Sequence, residues 1–321
     1  MATNIGLCVP NTLDCNFHCR YCFRNLERLE EVPAFTDDMI AYVKGLTKDN
    51  VWRVVVTGGE PLLHFDKLKE FFSYVSPDVG KQIISNGSLL TEEIVDYLNE
   101  NRIQLHLSHD GPMTKFLRGI DILDDAKICH LLRKINSLYV TSVNTKYNTD
   151  TWENFFYIAK RIGVTTFSYG SVILRTIPSF PDLIEGYDYD NWITTWLQYQ
   201  CGPFRRRSRN TKKRQFCFDV LPDGTVCGNF KMKSNYGKVW EVDSEEILAR
   251  SIQAGDMDYC TKTKCKFNHN CRFAWSDADD HMCKCRRLIM ENSSPEKVAE
   301  VREYVTNHWD EIKEKYGYQE T

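Results

Sequence analysis

Cys15, Cys19 and Cys22 lie within eight residues of one another in LDCNFHCRYCFRN, with no fourth cysteine beside them. Thiolates this close together ligate metal. A structural zinc site takes four protein ligands, and the one histidine at hand, His18, sits inside the loop between two of the cysteines. Three thiolates suit a [4Fe–4S] cube better: they hold three irons and leave the fourth open to a small chelating molecule. Eight more cysteines occupy the last third: Cys201, Cys217, Cys227, Cys260, Cys265, Cys271, Cys283 and Cys285. Eight is two sets of four, enough for two fully ligated cubes, for one cube plus loose thiols, or for a zinc-stabilised module. Cys8 and Cys129 have apolar neighbours and read as buried structural thiols.

The elements that must carry these residues alternate in type. Apolar, β-branched runs occur at IGLCVP, VWRVVVTGG, QIISNG, IQLHLSHDG, LYVTSVNT and TTFSYGSVIL. Between them lie helical segments such as TDDMIAYVKGL, FDKLKEFFSYV, TEEIVDYLNENR, ILDDAKICHLLRKI and TWENFFYIAKRI. Six strands separated by five helices predict a parallel α/β sheet, open or as a partial barrel, with its chemistry at the C-terminal strand ends. Past about residue 185 the strands shorten and cysteine, lysine and arginine become dense, which predicts a small unit held by metal more than by a core. Trp192 and Trp196, four apart, predict one packed helix face. The span 295–316 reads as a helix capped by Ser294.

The chain of 321 residues is 42% hydrophobic and 26% charged, with a formal net charge of -3. That is a globular composition with no global attraction for nucleic acid or anionic membrane. No apolar run is long enough to span a bilayer, and the N-terminus lacks the features of a signal peptide. A cytoplasmic location is expected, where 13 cysteines are not a disulfide framework.

CNFHCRYC resembles the C-x3-C-x2-C signature of the radical S-adenosylmethionine (SAM) superfamily, including the aromatic residue before the last cysteine, here Tyr21. The resemblance spans about residues 3–180. It implies a partial (β/α)6 TIM-like barrel and a cluster whose open iron binds SAM. One electron then cleaves SAM to methionine and a 5′-deoxyadenosyl radical, which takes a hydrogen atom from the substrate. TGGEP, at the end of the second strand, is similar to the family's GGE motif, and assigns Gly58, Gly59 and Glu60 to the methionine amino group. On residue type alone it is a tight turn. Asn86 in SNG is a ribose candidate. SHDGP is similar to the family's S-x-D-G-P, with Ser108 on SAM and Asp110 on SAM, on substrate, or capping a turn. Asn144 is a further ribose or substrate candidate, and Arg118 follows DGP at a spacing shorter than in relatives.

The later cysteines resemble the SPASM (or twitch) auxiliary-cluster region. The resulting domains are 1–185, the barrel; 186–292, the SPASM-like unit; and 293–321, a terminal helix. CFDVLPDGTVC looks like the region's hairpin, turned at Asp223-Gly224. The family's interleaving assigns Cys201, Cys217, Cys227 and Cys283 to one cluster and Cys260, Cys265, Cys271 and Cys285 to the other, with Cys283 and Cys285 exchangeable. Cys260 stands five positions before Cys265 instead of three, and the last pair is compressed into CKC.

SPASM-bearing relatives mostly crosslink, oxidise or epimerise residues of peptides and proteins. That implies a peptide or protein substrate and a reductase such as flavodoxin or ferredoxin. The barrel begins almost at residue 1, so leader recognition is expected from a separate protein or not at all. Gly228 replaces the Asp that follows the hairpin cysteine in formylglycine-forming relatives, which disfavours that activity, though Asp219 or Asp110 could substitute as the base. The alternative is modification of a nucleotide, nucleic acid or small metabolite held by the basic loop 204–215. That loop carries seven Arg or Lys and no acidic residue. It reads equally as an anion site or as a solvated loop beside an anionic cluster.

Overall fold

The computed structural model describes residues 5–22, 31–173, 180–204, 216–227, 235–253 and 280–319. Cys260, Cys265, Cys271, Gly228 and residues 205–215 of the basic loop lie outside them, as does the side chain of Cys217. The strands are β1 (Ile5–Pro10), β2 (Val51–Thr57), β3 (Gly80–Ser85), β4 (Ile103–Ser108), β5 (Leu138–Asn144), β6 (Phe167–Ile173), β7 (Phe216–Val220) and β8 (Val226–Cys227). The helices are α1 (Asp37–Lys44), α2 (Phe65–Tyr74), α3 (Glu92–Glu100), α4 (Thr114–Arg118), α5 (Ala126–Arg133), α6 (Thr151–Ile162), α7 (Pro181–Ile184), α8 (Tyr189–Cys201), α9 (Ser244–Gln253), α10 (Asp280–Glu291), α11 (Pro295–Asn307) and α12 (Trp309–Lys315).

One sheet runs β6-β5-β4-β3-β2-β1-β7-β8, and every neighbouring pair is parallel except the β7–β8 hairpin. Parallel pairing sends all the β1–β6 C-terminal ends to one edge, so the predicted motifs share that edge. The six expected strands and five expected helices are present. The sheet also gains β7, which lies parallel to β1 from Ile5↔Phe216 to Cys8↔Asp219. That addition is non-local, and nothing in a five-residue strand announces it.

Cross-strand partners divide the sheet into two unlike faces. Leu105↔Leu138 and Leu107↔Val140 belong to the sealed face, where Leu7, Val54, Ile83 and Val140 are wholly buried. Met39, Leu68, Leu98 and Leu132 of the helices cover it. Each such aliphatic side chain contributes about 1.5–3 kcal/mol on leaving water. Caps set the helix starts: Thr36, Thr91, Asp150 and Asp188 each accept a backbone N–H of the first turn. Trp192 and Trp196 do share α8, with ring centroids 6.2 Å apart.

The tail departs from the single expected helix. Ser294 caps it as expected, but the chain bends at His308 into α11 and α12. Aromatic packing explains the bend. Trp309 reaches Trp152 of α6 at 5.6 Å between centroids, and the Tyr316 hydroxyl donates to Asp150 Oδ2 at 2.7 Å. No described helix is long and apolar enough to cross a membrane.

Candidate active site

The three-cysteine loop leaves the C-terminal end of β1 and is fastened twice. At its front, Gly59 N–H donates to Thr12 O at 2.8 Å and Glu60 N–H to Asp14 O at 2.7 Å. At its rear, Arg20 N–H donates to Leu117 O at 2.8 Å. Phe17 is buried and anchors the middle, while Cys15 is exposed and Cys19 and Cys22 are half-buried. Phe17 N–H points at Cys15 Sγ from 3.4 Å. Burial pushes the Cys19 thiol up to about 11; Arg118 opposes this, and Asp110 and the other two thiols add to it. Among the described residues, no three His, Cys, Asp or Glu side chains converge on one ion. A cube does not require that, since it takes one thiolate per iron.

The GGE turn lies directly against this loop. A Cβ on Gly59 would come within 2.0 Å of Asp14 O, and one on Gly58 within 2.4 Å of Thr12 O. Only glycine permits that approach. Glu60 is fully buried and turned towards β3. Its carboxylate accepts from Leu62 N–H at 3.1 Å, Ser85 Oγ at 2.8 Å and Asn86 N–H at 2.7 Å. Burial raises its pKa, and those three bonds only moderate the rise. Asn86 donates to Asn16 Oδ1 at 2.9 Å and accepts from Ser88. The TGGEP and SNG motifs are thus bonded to each other and to the cysteine loop.

At the ends of β4 and β5, Ser108 is half-buried and pairs with Thr141. Asp110 and Arg118 form a buried ion pair at 2.7 Å. Asn144 is 1% exposed, and neither atom of its amide finds a hydrogen-bond partner. The Tyr187 hydroxyl stands next to it at a geometry that falls short of a hydrogen bond.

The open face of the sheet carries residues that motif reading passed over. His106 Nδ1 meets Gln82 Nε2 at 2.7 Å, its Nε2 meets Thr141 Oγ1, and Tyr139 packs edge-on at 4.9 Å. Burial and the nearby Arg53 charge hold His106 down to about 4, so it is neutral at pH 7. A signal was present in the sequence. Fully covered parallel strands read as continuous apolar runs, whereas IQLHLS and LYVTSVN alternate, which marks one face as lining a space.

The later cysteines come from separate elements. Cys201 ends α8, Cys227 is fully buried on β8, and Cys283 and Cys285 lie on α10. Two positions apart on a helix, the α10 pair points in nearly opposite directions. Cys285 is fully buried with Tyr187, Trp192 and Ile193, and both ring nitrogens of His281 lie 4.0 Å from its Sγ. Burial, with Asp219 and Asp223, pushes the Cys227 thiol up to about 12.

Residues 10–177, just over half of the chain, match the Radical SAM superfamily. The chain belongs to that superfamily, and with it come SAM and a [4Fe–4S] cluster. GTP 3′,8-cyclase of Campylobacter jejuni is 29% identical over 153 residues, which are 44% of this chain and 46% of that protein. The AdoMet-dependent heme synthase of Methanosarcina barkeri is 23% identical over 75% of this chain and 77% of its own. The chain spans about half the length of the first curated relatives it matches. Among solved structures, anSMEcpe with bound AdoMet has a TM-score of 0.65 at 16% identity, over 92% of this chain and 99% of that one. Streptococcus suis SuiB bound to precursor peptide SuiA has a TM-score of 0.55 at 14% identity, over 77% and 65%. Both show a shared fold.

The residues present fit the family's cofactors. Three thiols sit on a loop held at both ends, and a buried amide with both atoms unmatched stands at the same edge of the sheet.

Proposed function

We propose that this radical SAM enzyme modifies a residue of a peptide or protein. Cys15, Cys19 and Cys22 hold the cluster. Gly58, Gly59, Glu60, Asn86, Ser108 and Asn144 shape the SAM site, with Tyr21 of the cysteine loop bonded to Asp110 behind it. When bound, the cluster and SAM would supply a hydrogen-abstracting 5′-deoxyadenosyl radical, the electron coming from a reductase such as flavodoxin or ferredoxin. The chain's own part is to hold the loop, orient the target and keep water out. The uncharged row Gln82, His106, Thr141 and Tyr139 on the open face suits hydrogen bonding to neutral amide groups.

The observation that carries this reading is the near full-length likeness to anSMEcpe with bound AdoMet and a peptide, over 94% of this chain and 99% of that one. The later cysteines belong to the same reading. They are proposed to hold two auxiliary [4Fe–4S] clusters: one on Cys201, Cys217, Cys227 and Cys283, the other on Cys260, Cys265, Cys271 and Cys285. A unit from 186 to 292 would then differ from the barrel in role, though not in sheet, because β7 lies against β1.

The GTP 3′,8-cyclase relatives favour a second reading, a nucleotide or other small metabolite gripped by the basic loop 204–215. The test is 5′-deoxyadenosine release by anaerobically reconstituted enzyme, given separated protein, nucleic-acid and metabolite fractions. Stimulation by the protein fraction supports the peptide reading. Stimulation confined to nucleotides, and falling steeply with salt, replaces it with the second.

A further inference from the structure

Asp110 joins three segments of the active edge through one carboxylate. Its Oδ2 accepts from the Tyr21 hydroxyl on the cysteine loop and from Arg118 Nε on α4 at 2.7 Å. Its Oδ1 accepts from Val143 N–H on β5 at 2.7 Å. The carboxylate is fully buried, and Arg118 and Tyr21 are 6% and 7% exposed. The carboxylate therefore faces protein donors, with no accessible surface left for a ligand. The same half of the loop is tied to α4 by Arg20, whose N–H reaches Leu117 O at 2.8 Å and whose Nε reaches Phe116 O at 3.0 Å. Cys19 itself packs against the apolar group that contains Tyr21 and Leu117.

The residue before it provides an internal comparison. His109 bonds Asp121 at 2.9 Å and stacks on Tyr157 of α6. That neighbouring buried pair braces the turn from behind and, among the described residues, has no bond to the cysteine loop. A turn that needed only stability already has it from His109 and Asp121.

We propose that Asp110, with Arg118 and the Tyr21 hydroxyl, is a positioning device for the cluster loop and not a SAM or substrate contact. The front of the loop is fixed by backbone bonds to the GGE turn, and the rear by this clamp. The clamp thereby sets where Cys19 and Cys22 present their thiolates relative to the SAM-shaping residues. Three far-separated segments meet at one buried charge, so loss of one partner leaves that charge unmatched and the loop free to shift. This inference rests on the proposed assignment of Cys15, Cys19 and Cys22 to the cluster.

The test uses the anaerobically reconstituted holoenzyme, with SAM as the probe. Wild type, Tyr21→Phe, Asp110→Asn, the double variant and Asp121→Asn are compared by iron content, by the electron paramagnetic resonance spectrum of the reduced cluster with and without SAM, and by SAM titration of that spectrum. Tyr21→Phe keeps the ring and removes one bond to a charged group. It should weaken SAM by roughly tenfold and alter the SAM-bound spectrum. Asp110→Asn should do the same or more. The double variant should be no worse than Asp110→Asn, because both remove one shared contact. Asp121→Asn should lower the melting temperature and leave the SAM-bound spectrum unchanged. A Tyr21→Phe variant with wild-type spectrum and affinity overturns the proposal, even if Asp110→Asn fails to fold. So do additive losses, which would make Asp110 an independent SAM contact. A wild-type cluster whose spectrum ignores SAM instead overturns the underlying cluster assignment.

Discussion

The two cysteine groups are built on opposite plans. Cys15, Cys19 and Cys22 share one short loop, and backbone bonds to the GGE turn and to α4 hold it. The described later cysteines come from α8, β7, β8 and α10, and Cys227 and Cys285 are wholly buried. A local ligand set needs only a correctly anchored loop. A dispersed one requires tertiary packing to assemble it first. The front group should therefore fail through its anchors, and the rear group through the stability of the elements that carry it.

The largest effect should come from the front. Replacing Cys15, Cys19 and Cys22 by Ala is expected to abolish 5′-deoxyadenosine formation while any iron bound by the later cysteines remains, read by product chromatography and iron analysis. Retained SAM cleavage would erase the division of labour. Next comes the anchor: Gly59→Ala puts a Cβ within 2.0 Å of Asp14 O. Overpacking of this kind costs about 1–3 kcal/mol, so uncoupled SAM cleavage should fall about tenfold or more, with all 13 thiols still present.

Smaller changes sharpen the rear side. Cys285→Ser buries a hydroxyl among Tyr187, Trp192 and Ile193, at a cost of about 1–3 kcal/mol. The melting temperature should drop by a few degrees and part of the iron should be lost, while uncoupled SAM cleavage persists. Complete loss of cleavage would show that the two groups are not separable.

The smallest effect is an acid sensitivity belonging to the parallel sheet. His106 is held at about 4, below the ordinary 6.5. A depressed folded-state pKa gives stability that is present above pH 6.5 and lost as pH falls from there towards 4. His106→Gln should flatten that part of the melting curve. An unchanged slope would place the acid sensitivity elsewhere.

Much of the parallel sheet and its helices was legible because their signals are local. The apolar run IQLHLSHDG and the helical segment TEEIVDYLNENR each correspond to one element. The cysteine loop was legible for the same reason. The placement of β7 beside β1 was not, since FCFDV reads as half of an independent hairpin. The bend at His308 was not either, because it follows from Trp309 and Tyr316 reaching α6. Asn86 reads as a ribose candidate, but its bond to Asn16 across 70 positions was not legible.

By itself the sequence determined which residues could ligate iron, the order of six strand ends, and the edge at which the motifs gather. Parallel β–α repeats leave little freedom there. Only the tertiary structure decided what Asp110 touches. In the sequence it is one acid in SHDGP, equally able to cap a turn or touch a ligand. Folding brings Tyr21 to it across 89 positions, together with Arg118 and the Val143 amide. A buried charge takes its role from the donors that surround it, and those donors meet only when the strands are in register.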